Sequence, residues 1–208
     1  MLQNKKNRGT LYSKSIGVLN ARGKYINSLD SDDMFCAEEY LGDIYNEAEI
    51  GNYDIIQNDA IYIDEISKFI MKRTPNFVVL WCKLIKAKHY RNIIYNIGNI
   101  MLKYNVITLD DDIIALFLFR GARVKKLKKI GICHYTHLGS HVYFRSFSNP
   151  ENTRKFCTNM KTTVNAFYNV INNIGKRKGY GLYYSLFVRG RCRNYVGKGG
   201  PKSIFKKI

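Results

Sequence analysis

The chain has 208 residues, 46% of them hydrophobic, which is sufficient for one domain with a sizeable core and a modest appendage. Its net charge of +18 indicates anionic partners, such as nucleic acid or a membrane surface. The sequence lacks the N-terminal apolar region typical of a signal peptide and any apolar run of roughly 18 residues, so we expect neither a signal peptide nor a transmembrane helix. The five cysteines are widely spaced without a Cys-x-x-Cys pair. We therefore expect a cytoplasmic protein with reduced thiols.

The first strong pattern is an apolar strand that ends in a cluster of carboxylates. Residues 25–29 alternate in hydropathy and predict a short buried strand that includes Leu29. The cluster that follows consists of Asp30, Asp32 and Asp33. Like charges this close repel one another unless a hard cation or ordered donors offset them, which favours a divalent-cation site. A solvated acidic turn that caps a helix is the alternative.

Two apolar segments follow along the chain. Residues 53–63 are β-prone and predict a further strand of the sheet. Residues 78–86 contain the sole tryptophan, Trp81, followed by Lys83. A tryptophan in an apolar run is most often a core residue whose indole N–H has a partner, and this is the interpretation we favour for Trp81.

A second acidic cluster lies between an apolar segment and a predicted helix. It consists of Asp110, Asp111 and Asp112. Residues 106–109 are β-prone, and residues 113–121 predict a buried helix. Acidic residues in a first helical turn are stabilised by the helix dipole, so simple capping stays open as an explanation.

Residues 122–130 are rich in lysine and arginine, and three histidines follow, His134, His137 and His141. Their spacing is weak evidence for zinc, which requires four ligands in a defined geometry. We favour loop histidines with ordinary hydrogen-bond partners over metal ligands.

The C-terminal part differs in charge from the rest. Ser148, Pro150 and Glu151 form a helix-start pattern, and Glu151 is the only acidic residue from there onward. An amphipathic helix over residues 156–174 and a basic, glycine- and aromatic-rich tail follow. Such a tail suits an anionic membrane surface or nucleic acid, and a solvated tail is the simpler alternative.

Four motifs in the first 33 residues together resemble the signature of family-2 glycosyltransferases with the GT-A fold. They are an Asn-x-Gly turn at 7–9, a helix with a basic residue at 13–17, Ala-x-Gly-x-Tyr-Ile at 21–26, and Leu-Asp-x-Asp-Asp at 29–33. The segment around Trp81 is similar to the family's Trp-x-Lys-Leu, and residues 110–112 are similar to its acidic pair at a helix start. Residues 122–140 are similar to the family's region after the base, in which a strand leads into a segment with a tyrosine and then a serine. Thr136 replaces the arginine that usually follows that tyrosine.

The resemblance implies a role for each matching residue. Asp30 and Asp32 would form the Asp-x-Asp element that holds Mn²⁺ or Mg²⁺ on the donor diphosphate, with Asp32 the direct ligand. Asp112 would be the general base, with Asp111 its neighbour. Substrate binding would involve the residues Asp30, Lys14, Lys83 and Trp81, the last two at the acceptor. Some relatives also add a C-terminal histidine to the metal shell.

The resemblance covers about residues 7–140 and lacks the family's first βαβαβ half, which binds the nucleoside. We therefore expect a partial GT-A mixed sheet flanked by helices over residues 1–147, and a basic helical extension over residues 148–208. An N-terminally truncated glycosyltransferase would fit this organisation. Without the missing strands the sheet would expose an unpaired edge, which promotes aggregation unless another segment or chain covers it.

The expected function is inverting, metal-dependent transfer of a sugar from a nucleotide-diphospho-sugar to a hydroxyl of a glycan, protein or lipid. The basic tail suggests peripheral contact with an anionic membrane. Two alternatives stay open: an inactive truncated glycosyltransferase that acts as a binding module, and a basic nucleic-acid-binding protein. Nucleic acid is the less favoured partner, because two acidic clusters would repel phosphate without a metal.

Overall fold

A computed structural model describes residues 3–65, 67–75, 79–103, 114 and 121–137. Nine elements follow one another in these ranges: α1 (Thr10–Asn20), β1 (Tyr25–Asn27), β2 (Met34–Phe35), α2 (Tyr40–Ile50), β3 (Ile55–Asp64), β4 (Phe69–Arg73), β5 (Lys83–Lys86), α3 (Ala87–Lys103) and β6 (Val124–Thr136). No helix within the described ranges has both the length and the hydropathy to cross a membrane.

The strands form one mixed sheet in the order β1-β5-β3-β6-β2, and β4 pairs with the second half of β3. The long strands β3 and β6 are parallel neighbours at the centre, and all other pairs are antiparallel. The carboxyl ends of β3 and β6 therefore lie side by side, with Tyr62 opposite His134 and Asp64 opposite Thr136.

The main core lies where α2 packs on the sheet. Tyr40, Ile44 and Ala48 repeat at four-residue spacing on α2 and are fully buried against Ile56 and Ala60 of β3. This spacing places one face of the helix toward β3. On the remaining elements, α1 packs against α3, and α3 contacts β5 and β1. The sheet is thus flanked by helices.

Tyr40 also explains a glycine in β6. A Cβ at Gly131 would lie 2.1 Å from the Tyr40 ring, so only glycine leaves room for this aromatic side chain. The Asn58 amide donates to the Tyr40 hydroxyl at 2.6 Å, which gives the buried phenol a polar partner. The α2 to sheet packing therefore depends on both a small and a polar residue.

Several sequence predictions agree with these elements. The predicted strand at 53–63 corresponds to β3, the basic helix at 13–17 lies in α1, and the segment from 122 onward contains β6. The prediction for Leu29 was wrong: β1 ends at Asn27, and Leu29 is 37% exposed in the turn that follows. The predicted 106–121 region, Ile114 and Gly121 apart, lies outside the described residues, as does the 148–208 extension.

The buried phenols of Tyr40 and Tyr62 make the stability of the fold depend on pH in the alkaline range. Burial raises the pKa of each phenol to about 12. The pKa of each phenol in the folded protein lies above the unfolded value of about 10. The protonated phenols therefore contribute fully to the stability of the fold below pH about 10, and this stabilisation is lost as the pH rises toward 12. We expect the free energy of unfolding in urea to fall across this window, and Tyr62→Phe to reduce that fall. Tyr95→Phe, at a 70% exposed position, is the control, and equal pH slopes for both variants would contradict the prediction.

Candidate functional site

The candidate site lies where the first acidic cluster meets the end of β6. The short strand β2 pairs antiparallel with β6, with Met34 opposite Cys133 and Phe35 opposite Ile132. Since Asp32 and Asp33 immediately precede β2, this pairing places their carboxylates beside His134 and His137. The site is thus at the carboxyl ends of the parallel strands β3 and β6, the edge at which α/β sheets commonly bind ligands.

Asp33 is the structural member of the acidic cluster. Its side chain is completely buried. The carboxylate accepts from Nδ1 of His134, at 2.9 and 3.1 Å from its two oxygens, and from the backbone N–H of Tyr135 at 3.1 Å. A carboxylate accepts hydrogen bonds, so Nδ1 is the protonated ring nitrogen and Nε2 is the one available as an acceptor in neutral imidazole. Asp33 therefore fixes the orientation and tautomer of His134.

The ring of His134 is held on its other sides by aromatic residues. It stacks on Trp81 with 4.7 Å between ring centroids and 9° between planes. The Tyr62 ring meets His134 edge-on at 5.2 Å and Trp81 at 5.8 Å. Such contacts restrict ring motion, so the imidazole is positioned by Asp33 and by this aromatic cluster together.

Asp32 has the opposite environment to its neighbour. Its side chain is 36% exposed, and its Oδ2 lies 3.1 Å from Nε2 of His137, which is 38% exposed. Both groups face solvent at the same edge. An oxygen and a nitrogen ligand for one divalent cation are therefore adjacent and open to a ligand.

The other predicted substrate residues occupy different environments. Trp81 is only 7% exposed, in agreement with the core position that we favoured for it. Lys83 is fully buried in β5, where its ammonium donates to the carbonyl of Val79. Lys14 lies on α1, and Asp30 accepts from the backbone N–H of Asp33 through its carbonyl at 3.1 Å. The substrate-binding roles of these residues stay predictions.

The second acidic cluster belongs to a segment that the structure does not describe. Asp110, Asp111 and Asp112 lie outside the described residues, and so does His141. Within the part of the chain that the structure describes, no three histidine, cysteine, aspartate or glutamate side chains form a ready metal cluster. The described edge thus supplies an Asp-His pair, and further ligands would come from elsewhere.

Two features of the site were missed from the sequence. We grouped Asp33 with Asp30 and Asp32 as possible cation-binding carboxylates, whereas Asp33 is buried and bonded to His134. The contact between His134 and Trp81 was also unexpected, because 53 positions separate these residues along the chain. The prediction that His134 lies in a loop was wrong, because His134 is part of β6. The available signal was the pair of apolar residues just before it, Ile130 and Ile132.

Comparisons with known proteins bear on the fold. No known family profile and no curated protein sequence matches this chain. The structure of S. aureus TarS residues 1–349 in complex with UDP-GlcNAc matches with a TM-score of 0.59 and 12% identity over 93% of this chain and 55% of TarS. The structure of TarS 1–349 alone matches with a TM-score of 0.50 and 14% identity, over 93% of this chain and 60% of TarS.

The chain has a GT-A-like fold. The mixed sheet flanked by helices that we expected is confirmed by the likeness to TarS, a family-2 glycosyltransferase. The chain spans little more than half the length of these TarS structures. Within the GT-A-like fold, the described site occupies the edge formed by the carboxyl ends of β3 and β6.

Proposed function

We propose that this chain is a family-2 type glycosyltransferase, or the part of one, that transfers a sugar with inversion from a nucleotide-diphospho-sugar to a hydroxyl acceptor. The observation that supports it best is the solvent-facing contact between Asp32 and His137 at the carboxyl edge of a GT-A-like sheet. The complex of TarS with UDP-GlcNAc, which has a similar fold, supports a nucleotide-sugar as donor.

The residues at this edge fit a divalent cation. Asp32 offers an exposed carboxylate oxygen, and Nε2 of His137 lies 3.1 Å from it. Mn²⁺ and Mg²⁺ are commonly held by one or two carboxylates, with phosphate and water completing the shell, and Mn²⁺ also accepts imidazole. Asp32, with Asp30 nearby in the same turn and His137 from β6's end, would hold the ion. When bound, the ion would neutralise charge on the donor diphosphate and so favour its departure.

Asp33 contributes by fixing the position of the acidic turn relative to β6. Its buried bonds to His134 and to the Tyr135 backbone join the acidic turn to β6. Since His137 is three residues beyond His134 on the same segment, this link also sets the distance between His137 and Asp32. Preorganised ligand positions reduce the reorganisation that binding would otherwise require.

The reaction itself needs a base on the face opposite the leaving group. In this proposal Asp112 takes the proton of the acceptor hydroxyl while the hydroxyl oxygen attacks the anomeric carbon. The bond from that carbon to the diphosphate oxygen breaks, and its electron pair leaves with the nucleoside diphosphate. Asp111 directly precedes the base in the sequence. The configuration at the anomeric carbon is inverted.

The Asp32→Ala variant tests the cation site directly. Because it removes the exposed oxygen ligand, we expect Mn²⁺ affinity to fall by about 100-fold, measured by isothermal titration calorimetry. His137→Ala should weaken binding less, since one carboxylate remains. The unfolding free energy of both variants should stay close to that of the unmodified chain, because both side chains are partly exposed.

The matched control is Asp43→Ala. Asp43 is also an exposed carboxylate in an ion pair, with Lys129, but it lies on α2 away from the acidic turn. This variant should bind Mn²⁺ as the unmodified chain does. If Asp32→Ala binds the ion equally well, the assignment of Asp32 is wrong.

The alternatives make different predictions for the same protein. An inactive binding module would bind Mn²⁺ and a nucleotide-sugar without releasing the nucleoside diphosphate. A nucleic-acid-binding protein would bind single-stranded RNA with affinity that falls steeply with salt and does not respond to a chelator. Peripheral binding through the basic 148–208 segment, with an acceptor presented at an anionic membrane, is compatible with the transferase and rests on the charge of that segment.

A further inference from the structure

Two cysteines meet where the chain after β2 lies alongside β6, close to the candidate site. Cys36 directly follows β2, and Cys133 lies in β6. Their sulfur atoms are 2.8 Å apart, while 97 positions separate them in the sequence. The backbone N–H of Cys36 also donates to the carbonyl of Gly131 at 3.0 Å, so the chain at Cys36 is held alongside β6. The contact between the two thiols is thus part of the strand pairing.

This thiol pair is accessible as well as close. Both cysteines are free thiols; Cys36 is exposed, and Cys133 is partly exposed. Cys82, in contrast, is fully buried and lies in the main core. An oxidant in solution therefore reaches the pair without unfolding of the core.

We propose that Cys36 and Cys133 form a reversible disulfide, with a low-molecular-weight disulfide of the glutathione class as oxidant, and that this bond ties β2 to β6 beside the acidic turn. This modification does not depend on the proposed function.

The reaction balances as a thiol-disulfide exchange. One cysteine thiolate attacks a sulfur of the oxidant, which forms a mixed disulfide and releases one reduced thiol. The second cysteine loses its proton and attacks the protein sulfur of the mixed disulfide, which expels the second small thiol as a thiolate that takes up a proton. Two protein thiols are oxidised to one disulfide, and one small disulfide is reduced to two thiols.

The bond would reinforce the pairing of β2 with β6, which brings the acidic turn next to the histidines of the site. The link between β2 and β6 sits next to the Asp33 to His134 contact, since Asp33 precedes β2 and His134 follows Cys133. A cross-link that closes a long loop restricts the unfolded chain and so raises the melting temperature Tm. Oxidation should therefore make the strand pair that supports the site harder to open.

The test uses the full chain, reduced and then incubated with oxidised glutathione. After remaining thiols are blocked with iodoacetamide, trypsin places Cys36 in the peptide 25–68 and Cys133 in the peptide 130–145. We expect mass spectrometry to detect these two peptides joined, and dithiothreitol to separate them. Oxidation should also raise Tm in the unmodified chain and in Cys82→Ser.

Cys36→Ser is the decisive variant, because its exposed position makes it tolerant of substitution. It should yield no joined peptide and no rise in Tm on oxidation. Cys133→Ser should give the same two results if the variant folds. If it does not fold, the result for Cys36→Ser alone decides whether the disulfide forms. A glutathione adduct that persists on Cys36, or a bond from either cysteine to Cys157 or Cys192, would overturn the proposal.

Discussion

Asp33→Ala is expected to destabilise the protein by about 2–4 kcal/mol, the largest effect of any single change in the described site. The substitution removes a fully buried carboxylate that accepts from His134 and from the Tyr135 backbone. Both donors would be left in a partly buried position without their partner. The imidazole would also lose the contact that sets its tautomer, although its stacking on Trp81 would remain.

Urea unfolding followed by circular dichroism measures this loss. The neighbouring Asp32→Ala variant is a stringent control, because it changes the same residue type one position away. Asp32 is 36% exposed and its contact with His137 is solvent-facing, so its removal should change the unfolding free energy by less than about 1 kcal/mol. Equal destabilisation by the two variants would show that the difference in burial has no energetic consequence.

Asp112→Asn is expected to lower the rate of sugar transfer by about 100- to 10,000-fold, the range typical of a general base. Asparagine keeps the size of the side chain and cannot take the proton of the acceptor hydroxyl. Asp112 lies outside the described residues, and its assignment rests on the resemblance of residues 110–112 to the acidic pair of family-2 enzymes. Mn²⁺ affinity should change little, because the proposal assigns the carboxylate ligand of the ion to Asp32.

The assay for this variant is release of UDP from UDP-GlcNAc in the presence of candidate hydroxyl acceptors and Mn²⁺. UDP-GlcNAc is the first donor to try because it is the ligand in the similar TarS structure. Asp43→Asn, an exposed carboxylate on α2, serves as the control and should retain full activity. If the Asp112→Asn variant is as active as the control, the assignment of Asp112 as the base is wrong. That result would not bear on the proposed cation site at Asp32.

The regular elements were predictable where a local pattern was strong. β3 has a long β-prone run, and the motif residues around Lys14 indicated α1. No prediction was made for α2, β4 or α3, although Tyr90, Ile93, Ile94 and Ile97 recur on α3 at helical spacing and are buried. That periodicity was a usable signal. The β4 strand shows no alternation of apolar and polar residues, and all five of its residues are exposed.

The roles of the acidic residues show the limit of sequence patterns most clearly. Asp32 and Asp33 are adjacent and chemically identical, and the Leu-Asp-x-Asp-Asp motif places both in one cluster. One is exposed beside His137, and the other is buried under His134. This difference depends on the antiparallel pairing of β2 with β6, which joins residues about 100 positions apart.

The sequence by itself determined the residue types of the site, their order, and the likeness to family-2 enzymes that predicted a GT-A fold. These properties follow from local patterns: alternating hydropathy, acidic clusters after apolar runs, and turn motifs. Only the tertiary structure decided which carboxylate is open to a cation, which histidine it meets, and which cysteines touch. Burial and contact depend on strand register between distant segments, and a change of register by one residue would reverse which side chains face the core.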